Sequence, residues 1–112
     1  MRRLFGPSIA AALAAVLLIA GAVAAADNEI PLTLEKGQFQ PSEVKVKANT
    51  PFVLVVTNKG TKAAEFESKD LRVEKVVPAG KTVNVRIRAL KPGSYAFFDD
   101  FNKAAIGRIV AE

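Results

Sequence analysis

The segment Tyr95-Ala-Phe-Phe-Asp-Asp-Phe-Asn-Lys-Ala-Ala-Ile-Gly-Arg-Ile-Val110 reads as a closing β-hairpin. Tyr95 to Phe98 and Ile106 to Ala111 are two short apolar runs, and Asp99, Asp100 and Asn102 between them belong to the residue types that favour turns. Upstream, Lys91-Pro-Gly-Ser94 has Pro and Gly where a type II turn requires them. The run before that turn, Lys81-Thr-Val-Asn-Val-Arg-Ile-Arg88, alternates so regularly that Val83, Val85 and Ile87 are assigned inward.

The same alternation continues toward the N-terminus. Ile30-Pro-Leu-Thr-Leu34 opens it, and a Lys36-Gly37 turn leads to Gln38-Phe-Gln-Pro41. In Glu43-Val-Lys-Val-Lys47 the two valines fall on a core face and the two lysines in water. Phe52-Val-Leu-Val-Val56 is apolar at every position, the pattern of a central strand covered on both sides, and Asn58-Lys-Gly60 ends it. Ala63-Ala-Glu-Phe-Glu67 is a short strand, followed by a polar connection through Ser68-Lys-Asp-Leu71, a run from Arg72 to Val77 and a Pro78-Ala-Gly80 turn. No long stretch carries helical periodicity. Seven or eight strands at a spacing of about 8–12 residues predict an all-β fold, a two-sheet antiparallel Greek-key sandwich.

The N-terminus reads as an export signal. Met1-Arg-Arg3 is a basic start, Leu4 to Val23 is an almost unbroken apolar run, and both Ala22-Val-Ala24 and Ala24-Ala-Ala26 fit the small-x-small cleavage rule. The expected division is a signal peptide over residues 1–26 and one domain over 27–112, placed in the periplasm with no stable membrane insertion once the leader is removed. The competing reading is a retained anchor, since the apolar run approaches bilayer-spanning length. Loss of Arg2 and Arg3 lowers Lys plus Arg from 16 to 14 against 11 acids and the formal charge from +5 to +3. That mild, scattered basicity, in an exported chain without an aromatic-basic stacking pattern, excludes nucleic acid as a partner. The 112 residues include neither Cys nor His, so no thiol or imidazole nucleophile-and-base pair exists and only paired acids remain for catalysis.

The closing hairpin resembles that of cupredoxins, whose last two strands flank a metal loop of the form Cys-x-x-His-x-x-Met-x-Gly. Asp99 stands at the thiolate position, Asn102 at the imidazole position and Ala105 at the thioether position, while Gly107 and the strand Arg108-Ile-Val-Ala111 are retained. The segment Phe39-x-Pro-Ser-Glu-Val-Lys-Val-Lys-Ala-Asn-Thr-Pro-Phe-x-Leu-x-Val-Thr-Asn-Lys-Gly60 is similar to the first half of the family, with Glu65 where the first copper His is expected. Val77-Pro-Ala-Gly-Lys-Thr82 and Lys91-Pro-Gly-Ser-Tyr95 match the turns before its last three strands, so the likeness runs from Ile30 to Glu112. Within the family, Ala-Glu-Phe-Glu67 with Ser-Lys-Asp-Leu71, and the Asp-Asp-Phe-Asn-Lys103 loop, resemble the cupredoxin-like domains of EfeO-type and Ftr-type bacterial iron-uptake systems.

That resemblance implies an accessory of ferrous-iron uptake that binds iron, or less readily copper, through carboxylates and assists iron oxidation or delivery. It implies a periplasmic iron-binding protein and an inner-membrane iron permease as partners. A blue-copper centre is excluded, because it needs two His and a Cys. The candidate metal residues are Glu65 and Asp99 as first ligands, with Glu67 and Asp100 as second choices or contacts to iron held by another protein. The competing account makes Asp99, Asp100 and Asn102 a polar turn and Glu65 and Glu67 a solvated strand face. On that account the protein is a metal-free sandwich module that binds an envelope component. Of Phe97, Phe98 and Phe101, at least two are expected in the core, with Phe101 the candidate for an exposed rim. Tyr95 is expected to pack in the sandwich with its hydroxyl on backbone.

Overall fold

A computed structural model describes residues 28–112, and the stretch read as a signal peptide lies outside the described residues. In chain order the strands are β1 (Glu29–Glu35), β2 (Gln38–Gln40), β3 (Glu43–Val46), β4 (Phe52–Asn58), β5 (Ala64–Ser68), β6 (Val73–Val77), β7 (Thr82–Ile87), β8 (Gly93–Asp99) and β9 (Asn102–Ala111). They stack as a four-stranded sheet, β2-β1-β4-β7, over a five-stranded sheet, β3-β9-β8-β5-β6. Among the described residues no helix is long and apolar enough to cross a membrane.

The two-sheet sandwich is the expected one, but its sheets are mixed rather than antiparallel throughout. β1 runs parallel to β4, and β3 parallel to β9. The chain path explains this: after the β1–β2 hairpin it crosses to the other sheet as β3 and returns as β4, so β4 reaches β1 by a crossover instead of a tight turn. The hairpin itself is closed by two residues, with Glu35 opposite Gln38, and Lys36 and Gly37 both take positive φ, 53° and 74°. Positive φ at both central residues is the requirement of the turn whose twist matches antiparallel strands. At the later turn, Gly93 has φ 157° and already belongs to β8, so Lys91 to Ser94 is not the type II turn that the sequence predicts.

Alternation decides which side chains form the core. Leu32 and Leu34 of β1, Phe52, Leu54 and Val56 of β4, and Val85 and Ile87 of β7 face Val44, Phe66, Phe97 and Ile109 across the sandwich, and all are buried. β4 is covered on one face only: Val53, Val55 and Thr57 are half-buried, so its continuous apolar run reflects an internal position in a sheet whose outer face is partly open. Each buried aliphatic or aromatic side chain contributes roughly 1.5–3 kcal/mol, and without disulfides these contacts dominate the stability. Phe39, Phe66 and Phe97 form the centre, with ring centroids 5.0 Å apart for Phe39–Phe97, 5.1 Å for Phe66–Phe97 and 6.3 Å for Phe39–Phe66.

Of the three phenylalanines around the acids, Phe97 alone is a core residue. Phe98 is half-buried on the outer face and Phe101 is 57% exposed. The Tyr95 hydroxyl donates to the Lys91 carbonyl at 2.7 Å, and its ring packs against the core as expected. Gly107 is required by this packing. A Cβ there would overlap the Phe97 ring, lying 2.6 Å from Cε1, and would sit 2.9 Å from the Ser42 carbonyl oxygen, a backbone atom that cannot swing away. Gly107→Ala is therefore expected to destabilise the domain by about 1–3 kcal/mol. Thermal unfolding reads this as a melting temperature lowered by several degrees with the fold retained.

Candidate metal centre

The closing hairpin is longer and tighter than the sequence suggests. β8 and β9 pair from Gly93↔Ala111 to Phe98↔Ile106, then the register shifts and Asp99 faces Asn102, leaving Asp100 and Phe101 as the tip. The shift sets Lys103, Ala104 and Ala105 outside the regular ladder and turns Ala105 into the core. β5 meets β8 through only two pairs, Phe66↔Asp99 and Glu67↔Phe98. These pairs decide which acids can meet.

Phe66 and Asp99 both face inward, so Glu65, Glu67 and Phe98 face out. The Asp99 side chain, 4% exposed, turns away from the outer face; its Oδ1 accepts the Glu65 backbone N–H at 2.8 Å and the Phe101 N–H at 3.0 Å. The Glu65 carbonyl in turn accepts the Asp100 N–H at 2.9 Å. One carboxylate and one carbonyl thus fasten the hairpin tip to β5 from both sides. Glu65, Glu67 and Asp100 emerge together: each offers an oxygen within 4.8 Å of those of the other two, and all three are half-buried. The four acids named from the sequence therefore divide, with three converging on the outer face of the five-stranded sheet and Asp99 bonded to backbone behind them.

Three residues shape this region without having been singled out from sequence. Glu74 lies directly opposite Glu67 on β6, adding a fourth negative charge beside the three. Only the strand register reveals it. Asn58, 2% exposed, donates to the carbonyls of Lys62 at 2.8 Å and Val77 at 3.0 Å and accepts the Gly60 N–H at 2.9 Å, which fixes the loop leading into β5. Ser68 closes the far end of the β5/β8 seam: its hydroxyl donates to the Ala96 carbonyl at 2.7 Å and accepts the Leu71 N–H at 3.2 Å. The Ala96 N–H is taken by Asp70 Oδ2 at 2.9 Å. An Asn before a turn and a Ser after a strand were visible as turn chemistry, but their burial was not.

The charges are unevenly compensated. Lys103 reaches Asp100 at 3.6 Å while remaining largely in solvent. Glu43, on the opposite edge of the same sheet, receives a two-point contact from Arg108 at 2.8 and 3.1 Å, and its carboxyl is held below the usual range chiefly by that hydrogen bond. Among the described residues Glu65 has no cationic partner of that kind. Desolvation first, then the Glu74 charge and a shared hydrogen bond with Asp100, raise its carboxyl above the usual carboxylate range. Arg88 is exposed and its guanidinium donates to the Leu71 carbonyl at 3.1 Å.

The pole at which cupredoxins hold copper has a different chemistry here. A shallow recess there is lined by Asp99, Glu35, Asn58, Asn102, Thr61 and the lysines Lys36 and Lys62. It offers neither thiolate nor imidazole, and its buried carboxylate oxygen is engaged by two N–H groups, so the residues present do not fit a blue-copper ion.

The cupredoxin-like domain description matches residues 8–111. The chain belongs to this family. A 75-residue stretch is 36% identical to an uncharacterized protein of Rickettsia prowazekii (strain Madrid E), covering 67% of this chain and 60% of that protein's length. The fold is similar to that of the metal binding domain of the Streptococcus pneumoniae Cu(I) exporting P-type ATPase CopA with Cu(I), with a TM-score of 0.65, 13% identity and coverage of 75% of this chain and 84% of that one. It is also similar to auracyanin A, a blue copper protein of Chloroflexus aurantiacus, with a TM-score of 0.63, 13% identity and coverage of 75% and 98%. At such identities the two structures share the sandwich fold with this cupredoxin-like chain.

For the metal-free cupredoxin-like domain the sign of the Glu65 effect follows from linkage. A carboxyl whose proton affinity is higher in the folded state makes folding less favourable once pH rises through that folded pKa, and the cost is relieved as pH falls below it. Glu65→Gln is expected to raise the melting temperature at neutral pH and to flatten its dependence between mildly acidic and neutral pH. Calorimetric scans of both proteins across that range, in chelator, check this.

Proposed function

We propose that this protein is a cation-binding member of the cupredoxin-like family that holds an iron ion through Glu65, Glu67 and Asp100 as an accessory of ferrous-iron uptake. The observation that carries the reading is the convergence of those three carboxylates within 4.8 Å of one another on a half-buried face. Oxygen donors of this kind suit hard cations, with Fe³⁺ favoured over Fe²⁺ and copper a poorer match. Such a preference assists loss of an electron from bound Fe²⁺ to an external oxidant. Desolvation first, and the Glu74 charge second, raise the Glu65 carboxyl above the usual range, and a bound cation would oppose both.

The likeness of Glu65-Phe-Glu67 and of the Asp99 to Lys103 loop to iron-uptake cupredoxin domains supports a periplasmic iron-binding protein and an inner-membrane permease as the partners. The basic and apolar N-terminus supports a periplasmic location. Exposure of Phe101 at 57% and Ile106 at 64% favours a second reading, an interaction module of the envelope that needs no metal.

Titration under anaerobic conditions with Fe²⁺, and separately with Cu²⁺, distinguishes the two. The expected result is saturable binding at one site, with Glu65→Gln, Glu67→Gln and Asp100→Asn each weakening it tenfold or more. At a free ion concentration a hundred times the dissociation constant, the wild type should gain roughly 2.7 kcal/mol, a melting temperature higher by about 10–20 °C that chelator reverses. Identical isotherms for wild type and the triple variant would leave the interaction module standing.

A further inference from the structure

We infer that Asp99 is a positioning residue of the carboxylate centre rather than a ligand, and that its oxygen atom, not its negative charge, is what the centre uses. This rests on the cation-binding reading proposed for Glu65, Glu67 and Asp100. Asp99 is the acid that stands at the thiolate position of the family loop, which makes ligation its obvious role. The geometry assigns it another.

Its carboxylate is 4% exposed and belongs to the inward set of β8, whereas the three clustered acids belong to the outward sets of β5 and of the hairpin tip. Both N–H donors, from Glu65 at 2.8 Å and from Phe101 at 3.0 Å, fall on the same oxygen, Oδ1. These donors flank the centre in the chain. Glu65 carries one of its carboxylates, and Phe101 directly follows Asp100, which carries another. The regular ladder between β5 and β8 is only two pairs long and stops at Phe66↔Asp99. Beyond it, the bonds from Asp99 Oδ1 and from Asp100 N–H to the Glu65 carbonyl hold the tip of the hairpin against β5. Those bonds fix where the chain positions of Glu65 and Asp100 sit relative to each other, and so the distance from which their side chains reach; among the described residues the ion pair made by either carboxylate is that of Asp100 with the flexible Lys103, at 3.6 Å.

One oxygen accepting two amide hydrogens is something a carboxamide also provides. Ligand and clasp therefore predict opposite outcomes for one substitution. Asp99→Asn keeps an acceptor in place and removes the charge, while Asp99→Ala removes the acceptor. Ser68→Ala serves as the control, since it cuts a hydrogen bond at the opposite end of the same β5/β8 seam and leaves the acids untouched. Tb³⁺, a hard trivalent ion with its own luminescence, is the probe for titration of all four proteins. Amide hydrogen exchange at Glu65 and Phe101 is followed in parallel in chelator.

The clasp requires Asp99→Asn to bind Tb³⁺ within about threefold of wild type with both amides still protected. It requires Asp99→Ala to bind at least tenfold more weakly with both amides exchanging freely, and Ser68→Ala to lose thermal stability with its affinity unchanged. If Asp99→Asn loses affinity as severely as Glu65→Gln while its amides stay protected, Asp99 is a ligand and the inference is overturned with the cation site intact. Equal loss in Ser68→Ala and Asp99→Ala would also overturn it, since general loosening of the seam would then suffice. A wild type that binds no Tb³⁺ and no iron removes the cation-binding reading itself, and the inference with it. Should Asp99→Ala fail to fold, the comparison of Asp99→Asn with wild type still decides between clasp and ligand.

Discussion

The two-pair register between β5 and β8 is the constraint on which the rest of the site depends. Opposing Phe66 to Asp99 commits both to the interior, and strand alternation then sends Glu65, Glu67 and Phe98 outward together. A slip by one residue would exchange the faces, burying two glutamates against Phe39 and Phe97 while expelling Phe66. Burying two unpaired carboxylates and exposing a large ring are each costly enough to forbid that alternative. The aromatic trio therefore does more than fill the core: by holding Phe66 inward, it fixes the face on which the acids appear.

The same logic explains why the acids gather on a sheet face rather than at the pole. A buried carboxylate persists only when its charge is hydrogen-bonded, and Asp99 meets that condition with two backbone N–H groups. Adding Glu65 or Glu67 to the same buried place would require further donors, and the buried Asn58 is already committed to three backbone groups. On the half-buried face, water shares the burden. There the Glu65 carboxyl is raised above the usual range by desolvation first and by the Glu74 charge second, with Asp100 and Glu67 adding less.

Much of this architecture was legible in the residues. The alternating runs from Glu43 to Lys47 and from Lys81 to Arg88 place Val44, Val46, Val85 and Ile87 inside, as observed, and the Lys36-Gly37 turn sits between β1 and β2. Two things were not legible. The parallel β1/β4 and β3/β9 pairs come from where the chain crosses between sheets, which no local pattern records. Parity within a strand was visible too, so that Glu65 and Glu67 share a side and Asp99 and Asp100 diverge. Which side of β8 answers which side of β5 is a matter of register, however, and that separates Asp99 from Glu65 and brings Glu74 opposite Glu67. Phe52 to Val56 misled for a related reason. A wholly apolar run shows that a strand is internal to its sheet, not that both its faces are covered.

On the proposed cation-binding reading, an incoming ion would compete with Lys103 for Asp100 in a chain that is basic overall. The sequence carries a formal charge of +5, so at long range a cation is not drawn to it. Near the outer face of β5 the balance reverses, with Glu65, Glu67, Glu74 and Asp100 close together and Lys103 the cation paired with Asp100 there. At 3.6 Å and 74% exposure of its side chain, that lysine makes a pair of the kind worth about 0–1 kcal/mol. Displacing it costs little. On that reading a multivalent ion would meet carboxylates whose counter-charge is loosely held, which makes the expected attraction local, short in range and steeply dependent on ionic charge.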